Sequence, residues 1–278
     1  MTYKMSGGHI GHTPTTGGSE GDAAPGVWQL KHIYPKSRAS GDIARNWPLI
    51  TPIPADPVYS TVLLRLPLDG NLTDFSSSPV SSNDQATDTF VTGKFGQGLA
   101  VSSGYVEYAT GTFANTAAGG SGSTHSGTLE FWIKNTAAAY GSTDSVLLEL
   151  GTSGSTNFFV TGNAGNLKLR HGTTNNSGLL IGAFTQNAWH HVLLFFYHIL
   201  DLGGGSNFWH TDCYLDGTKN NTSQNLGEVP NKFSIGGGAG VASSHYIDDV
   251  RITKGAPRYS LNNTSTSFTV PTTAHATS

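Results

Sequence analysis

The stretch Thr128-Leu-Glu-Phe-Trp-Ile-Lys134 decides the fold class. Leu129, Phe131 and Ile133 fall on one side, and Glu130, Trp132 and Lys134 on the other. That period of two belongs to an extended strand, because successive side chains of a strand point to opposite faces. The alternation recurs in both directions along the chain. Toward the N-terminus, Leu64, Leu66 and Leu68 share a face within Thr61–Leu68, and the pairs Leu99/Val101 and Val106/Tyr108 supply further inward groups. Toward the C-terminus come Asp144–Leu150, Asn157–Val160, Asn166–Arg170, Trp189–Ile199, Asn207–Gly217, Lys232–Ile235 and Tyr246–Ile252. Short alternating runs bounded by Gly, Asn and Ser read as antiparallel strands, and this many in one stretch of chain point to a sandwich or jelly roll. Within Asn207–Gly217, which reads as a hairpin, Asp216-Gly217 is a hairpin-type turn signal.

Composition agrees. Charged residues make up 12% of the 278, about half the usual share of roughly 25%, and 36 residues are glycine. Long helices need Glu, Lys, Ala and Leu on their surfaces, so helical bundles are excluded. Apolar residues at 36% still suffice for a core. A net charge of −3 carries no nucleic-acid footprint. The single cysteine, Cys213, allows neither an intramolecular disulfide nor a cysteine-based zinc site. The opening MTYKMSGGHIGHTPTTGG has no apolar run. The expectation is a protein made in a cytoplasm, with no signal peptide and no membrane insertion.

Residues 1–58 have a different texture from residues 59–278. They are rich in Gly, Pro and Thr, have no periodic apolar face, and end in the stiff run Thr51-Pro-Ile-Pro-Ala-Asp-Pro57. They read as an extended arm and spacer. Trp28, Tyr34 and Trp47 are large aromatics there without a core of their own, and Arg45 lies near. Aromatic anchors with arginine typify interface cores, so these three are the candidate docking residues.

Six pieces in fixed order resemble the laminin-G-like, concanavalin-A-like jelly-roll domain. They are Leu66-Pro-Leu-Asp-Gly70, Gly93-Lys-Phe-Gly-Gln-Gly-Leu-Ala100 followed by Tyr105-Val-Glu-Tyr108, Gly127–Ile133, Asn187-Ala-Trp-His-His-Val192, Tyr214-Leu-Asp-Gly217 and Tyr246–Gly255. The closing stretch, Ile247 to Tyr259, is similar to versions found in bacteriophage structural proteins. The resemblance implies an all-β, antiparallel two-sheet jelly-roll sandwich behind the N-terminal arm. It also implies a calcium ion in some members, with Asp69 and Asp248 as candidate ligands. Asp248 has the strand parity of Val250 and Ile252 and should point inward, where a carboxylate needs either a cation or N–H donors. Of His190 and His191, one ring should be bonded near a sheet edge and the other solvated.

Catalytic signatures are absent. A retaining glycosidase needs two carboxylates about 5–5.5 Å apart. Glu130 shares its face with Trp132 and Lys134, and Glu149 has no carboxylate at 147 or 151. There is no Gly-x-Ser-x-Gly elbow, His-Glu-x-x-His pair or phosphate loop. The resulting expectation is a non-enzymatic bacteriophage virion protein: a tail fibre or appendage adhesin, with a capsid decoration or head-fibre protein as the alternative. Its arm would join other virion proteins, it would form homo-oligomers (a trimer above all), and its jelly roll would face host glycans. A free-standing carbohydrate-binding module, with Trp132 stacking on sugar, and a glycosidase are the remaining readings.

Overall fold

A computed structural model of the chain describes residues 59–113, 126–136, 145–151, 158–163, 165–171, 178–199, 208–223, 230–236, 245–255, 259–262 and 264–275. Trp28, Tyr34 and Trp47 lie outside these residues. The chain divides into two units, Met1–Pro52 and Ile53–Ser278, and the described residues all belong to the second.

After a 3-10 turn at Tyr59–Thr61, the described residues form strands throughout, with no α-helix among them. The strands are β1 (Val62–Leu66), β2 (Ser82–Asp84), β3 (Thr87–Thr92), β4 (Gln97–Ser103), β5 (Tyr105–Tyr108), β6 (Ser126–Asn135), β7 (Ser145–Gly151) and β8 (Phe158–Asn163). They continue as β9 (Asn166–His171), β10 (Leu179–Ala183), β11 (Trp189–Ile199), β12 (Phe208–Leu215), β13 (Thr218–Ser223), β14 (Lys232–Gly236) and β15 (His245–Lys254). One sheet runs β13-β12-β11-β6-β15-β4-β3, with β1 also paired to β15, and the other runs β10-β9-β8-β7-β14-β5-β2. All pairings are antiparallel. The two-sheet sandwich expected from the alternation is therefore what forms. Asn207–Gly217 is one strand and its turn rather than a whole hairpin. Asp216 and Gly217, at φ +49° and +79°, make the two-residue turn that lets β13 fold back on β12.

The core lies between the sheets. Leu129 and Phe131 of β6 pair in register with Leu194 and Val192 of β11, Ile133 and Phe196 join the same core, and Leu148, Leu150, Val160, Phe233 and Ile235 of the other sheet complete it. Cys213 is part of this core, and burial pushes its thiol far above the usual range.

β15 is the pivot of the eight-stranded sheet. It pairs with β6 on one side, and on the other with β4 through its first half and β1 through its second. A bulge interrupts it: Asp248 faces Trp132, yet Arg251 faces Glu130, so three steps on β15 match two on β6. The extra residue is Asp249, at φ +50°. Strict alternation would put Asp248 inside with Val250 and Ile252, and the bulge overturns that expectation. Ile247, Val250 and Ile252 enter the core, while Asp248 pairs with Trp132 on the opposite, outer face.

That outer face is covered too. Residues 259–262 and 264–275 lay Leu261, Tyr259 and Phe268 over Leu193, Phe195, Tyr197 and Tyr214 as a second apolar cluster. Main-chain bonds from Phe268 N to the Gly217 carbonyl and from Lys219 N to the Thr266 carbonyl tie the segment to the β12–β13 turn.

Deleting Asp249 would close the bulge with Asp248 still opposite Trp132, Arg251 still opposite Glu130, and the same side chains on each face. It would also remove the buried carboxylate that Arg65 and His275 share, and losing one partner of such a pair costs about 3–5 kcal/mol. We expect the deletion variant to keep the β-sheet circular-dichroism signal of the parent and to unfold at a lower urea concentration.

Candidate functional site

The turn between β3 and β4 is built from Gly93-Lys-Phe-Gly-Gln-Gly98 and held at both ends by carboxylates. Asp248 Oδ2 accepts the main-chain N–H groups of Lys94 (2.7 Å) and Phe95 (2.8 Å), and Asp69 Oδ1 accepts that of Gln97 (2.7 Å). Gly96 adopts φ +63°, and a Cβ there would overlap Asp69 Oδ1. A Cβ on Gly93 would lie 2.6 Å from Asp248 Oδ2. The glycines are what let the two carboxylates approach the backbone.

Each carboxylate thus spends one oxygen on main-chain N–H donors, and the alternative to calcium ligation, Asp248 as an acceptor of backbone N–H groups, is present. Among the described residues, no three His, Cys, Asp or Glu side chains gather as metal ligands. Burial above all, with Asp249 adding to it, pushes the Asp248 carboxyl up to about 7 despite those bonds.

Trp132 lies under the same turn. It is 5% exposed, with Lys94 Nζ 4.1 Å from its ring centre, Phe95 edge-on at 5.9 Å and His191 at 5.2 Å. It has no free face for a sugar, so its expected stacking role is corrected to one of packing. The histidine pair differs from expectation as well. His190 Nδ1 is bonded to Asp216 Oδ2 at 2.7 Å, but His191 is fully buried rather than solvated.

Next to Trp132 is a charged cluster that no local motif announces. Glu130 and Asp249 are both buried, and His275 bridges them: Nε2 lies 3.2 Å from Glu130 Oε1 and Nδ1 2.9 Å from Asp249 Oδ2. Arg65 Nη1 lies 3.1 Å from Asp249 Oδ1, and its other terminal nitrogen donates to the His275 carbonyl. Tyr259 donates its hydroxyl proton to Glu130 Oε2 at 2.5 Å; His191 stands 3.5 Å from the same oxygen, and Arg251 Nε 3.9 Å from Oε1. Burial alone would raise both carboxyls, but the His275 imidazolium above all holds Glu130 well below the usual carboxylate range and, with Arg65, holds Asp249 low. Burial would likewise lower His275, yet the two carboxylates outweigh it and raise it above its ordinary value. The only signals in the sequence are ionic residues set in apolar runs, Arg65 among leucines and Glu130 between Leu129 and Phe131.

The outer face of the seven-stranded sheet carries a polar row. Glu107 on β5, Ser234 on β14 and Glu149 on β7 stand in register. Lys232 Nζ lies 2.6 Å from Glu107 Oε2, and Lys168 and Arg170 of β9 are half-buried on the same side. Two strand spacings separate Glu107 from Glu149, roughly 10 Å, well beyond the 5–5.5 Å of a retaining carboxylate pair.

Asp248→Asn keeps an oxygen acceptor and removes the charge. An acid whose folded pKa is raised stabilises the fold below its unfolded value, and that contribution is lost as pH rises toward the folded one. The window here runs from about 4 to about 7. We expect the Asn variant to melt no lower than the parent at pH 7.5, and its advantage to vanish at pH 4. Asp248→Leu leaves two N–H groups unbonded and should cost about 1–3 kcal/mol for each in urea unfolding.

The likenesses to known proteins point the same way. The sequence pattern of the concanavalin A-like lectin/glucanases superfamily matches residues 102–258. A search of the curated proteins found no match. Among solved structures, the binding domain of botulinum neurotoxin DC in complex with rat synaptotagmin II is 14% identical, with a TM-score of 0.50 over 72% of this chain and 50% of that one. The chain thus spans about half the length of that structure. Domain 4 of a GH43 extracellular arabinanase from Geobacillus stearothermophilus, in complex with arabinotriose, is 16% identical, with a TM-score of 0.50 over 72% of this chain and 96% of that one. At such identities the structures speak for the fold alone. The family match, which takes in more than half of the residues, shows that the chain belongs to the concanavalin A-like lectin/glucanases superfamily.

Proposed function

We propose that this protein is a non-enzymatic display module of a bacteriophage virion, its arm attached to the particle and its sandwich recognising a host-surface glycan. The observation that carries the glycan reading is the set of Glu107, Lys232, Glu149, Lys168 and Arg170 on the outer face of the seven-stranded sheet. Charged donors and acceptors on a rigid sheet suit the hydroxyl groups of a sugar, because each is held in place before the ligand arrives. Superfamily membership supports the reading, since its description names lectins, and so does the arabinanase domain solved with a bound arabinotriose.

The particle reading rests on the likeness of Ile247–Tyr259 to phage structural proteins and on the aromatic anchors Trp28, Tyr34 and Trp47. Within it we favour a tail fibre or appendage over a capsid decoration, and a homo-oligomer, above all a trimer, as the assembled form.

The test is a glycan array, together with pull-down on host envelope fractions, using the full chain. Binding should appear, and Lys168→Ala combined with Arg170→Ala should weaken it at least tenfold with the circular-dichroism spectrum unchanged. Absence of binding, or equal binding by the variant, overturns glycan recognition by this face. Trp28→Ala with Trp47→Ala should lower incorporation into particles several-fold; undiminished incorporation removes the anchoring role.

A further inference from the structure

We infer that the C-terminal segment, residues 259–262 and 264–275, is a strap over the outer face of the eight-stranded sheet, latched by His275 and released at its far end when that imidazole loses its proton. The geometry carries the inference. The strap is fastened at two places of different chemistry. Its first part is apolar and main-chain bonded: Leu261 is buried against Leu193, Phe195, Tyr197 and Tyr214, Phe268 stacks at 4.4 Å on Tyr259, and Phe268 N donates to the Gly217 carbonyl. Its last part is ionic. Thr272, Thr273 and Ala274 are exposed, and then His275 turns in and is 2% exposed.

Among the described residues, the charged or titratable groups around that imidazole belong to the strands beneath it or to the strap. Glu130 comes from β6, Asp249 and Arg251 from β15, Arg65 from β1, His191 from β11, and Tyr259 from the strap. With His275 protonated, each ring nitrogen lies within ion-pair distance of a buried carboxylate, and the positive charge of the ring is shared between them. With His275 neutral, that attraction is lost and two buried carboxylates flank an uncharged ring. Arg65 and Arg251 then remain as the cations beside Asp249 and Glu130. The sign follows from the raised His275 value: the latch is fully made below about pH 6.5, the ordinary imidazole value, and is lost as pH rises past the folded one. Local release needs less than global unfolding, because segments held by few contacts open well below that cost.

Elastase, which cuts after Ala274, reads the far part of the strap directly. The full chain is digested at pH 6.5 and pH 9, with rates normalised to a small chromogenic substrate and cuts located by mass spectrometry. The parent should be nicked within residues 269–275 at least tenfold faster at pH 9, with unchanged Trp fluorescence and circular dichroism. His275→Gln, neutral at both values, should be nicked rapidly at both. Nicking of the parent that does not change with pH overturns the inference, as does a Gln variant protected like the parent at pH 6.5. Should the Gln variant fail to fold, the imidazole proton signals of the parent followed by NMR decide. A histidine titrating above pH 6.5 together with strap-residue shifts supports the latch, and strap shifts that follow no histidine overturn it.

Discussion

The arrangement of this domain depends on one extra residue in its longest-range strand. β15 must serve two surfaces, sending Ile247, Val250 and Ile252 into the core and a set of ionic side chains to the far side. A regular strand with this sequence would bury Asp248 among aliphatic groups at a cost of several kcal/mol. The bulge at Asp249 avoids that and places three charged residues in one neighbourhood. Asp248 reaches the 93–98 turn, Asp249 reaches Arg65 and His275, and Arg251 lies beside Glu130. The two halves of β15 then pair with different strands, β4 before the bulge and β1 after it.

The outcome is a sandwich whose two outer faces differ. One sheet has a further layer on it, with its own apolar cluster and buried charges. The other keeps a row of polar side chains across its middle strands. A fold shared by lectins and glucanases does not say which surface works. Here Trp132, the aromatic best suited in sequence to meet a sugar, is sealed beneath Lys94 and Phe95, and that moves attention to the opposite sheet.

The sequence reading found strands where one face is apolar, and this explains what it passed over. β2, β3, β10 and β13 carry no clear alternation, and they are the four ends of the two sheet orders. An end strand such as Thr218–Ser223 needs little apolar surface to be held, because hydrogen bonding to one neighbour suffices and polar side chains protect the open edge. The turn signals were legible, since Asp216-Gly217 and Gly96 are used where positive φ is required. The orientation of Asp248 was not legible, because a bulge leaves no mark in a count of two. The His275 bridge was hidden for another reason: its partners are brought together by tertiary structure alone, and nothing near position 275 in sequence points to Glu130.

The span of these contacts bears on how the chain acquires its structure. Arg65 and Asp249 are 184 positions apart, and Arg65 and His275 210. β1 is made long before its pairing strand β15. The eight-stranded sheet therefore closes only once β15 has been made, with the entropy of a long loop opposing closure. Until then the apolar faces of β6 and β11 stand open and prone to aggregation, so crowding and chaperone supply during synthesis govern the yield of folded protein.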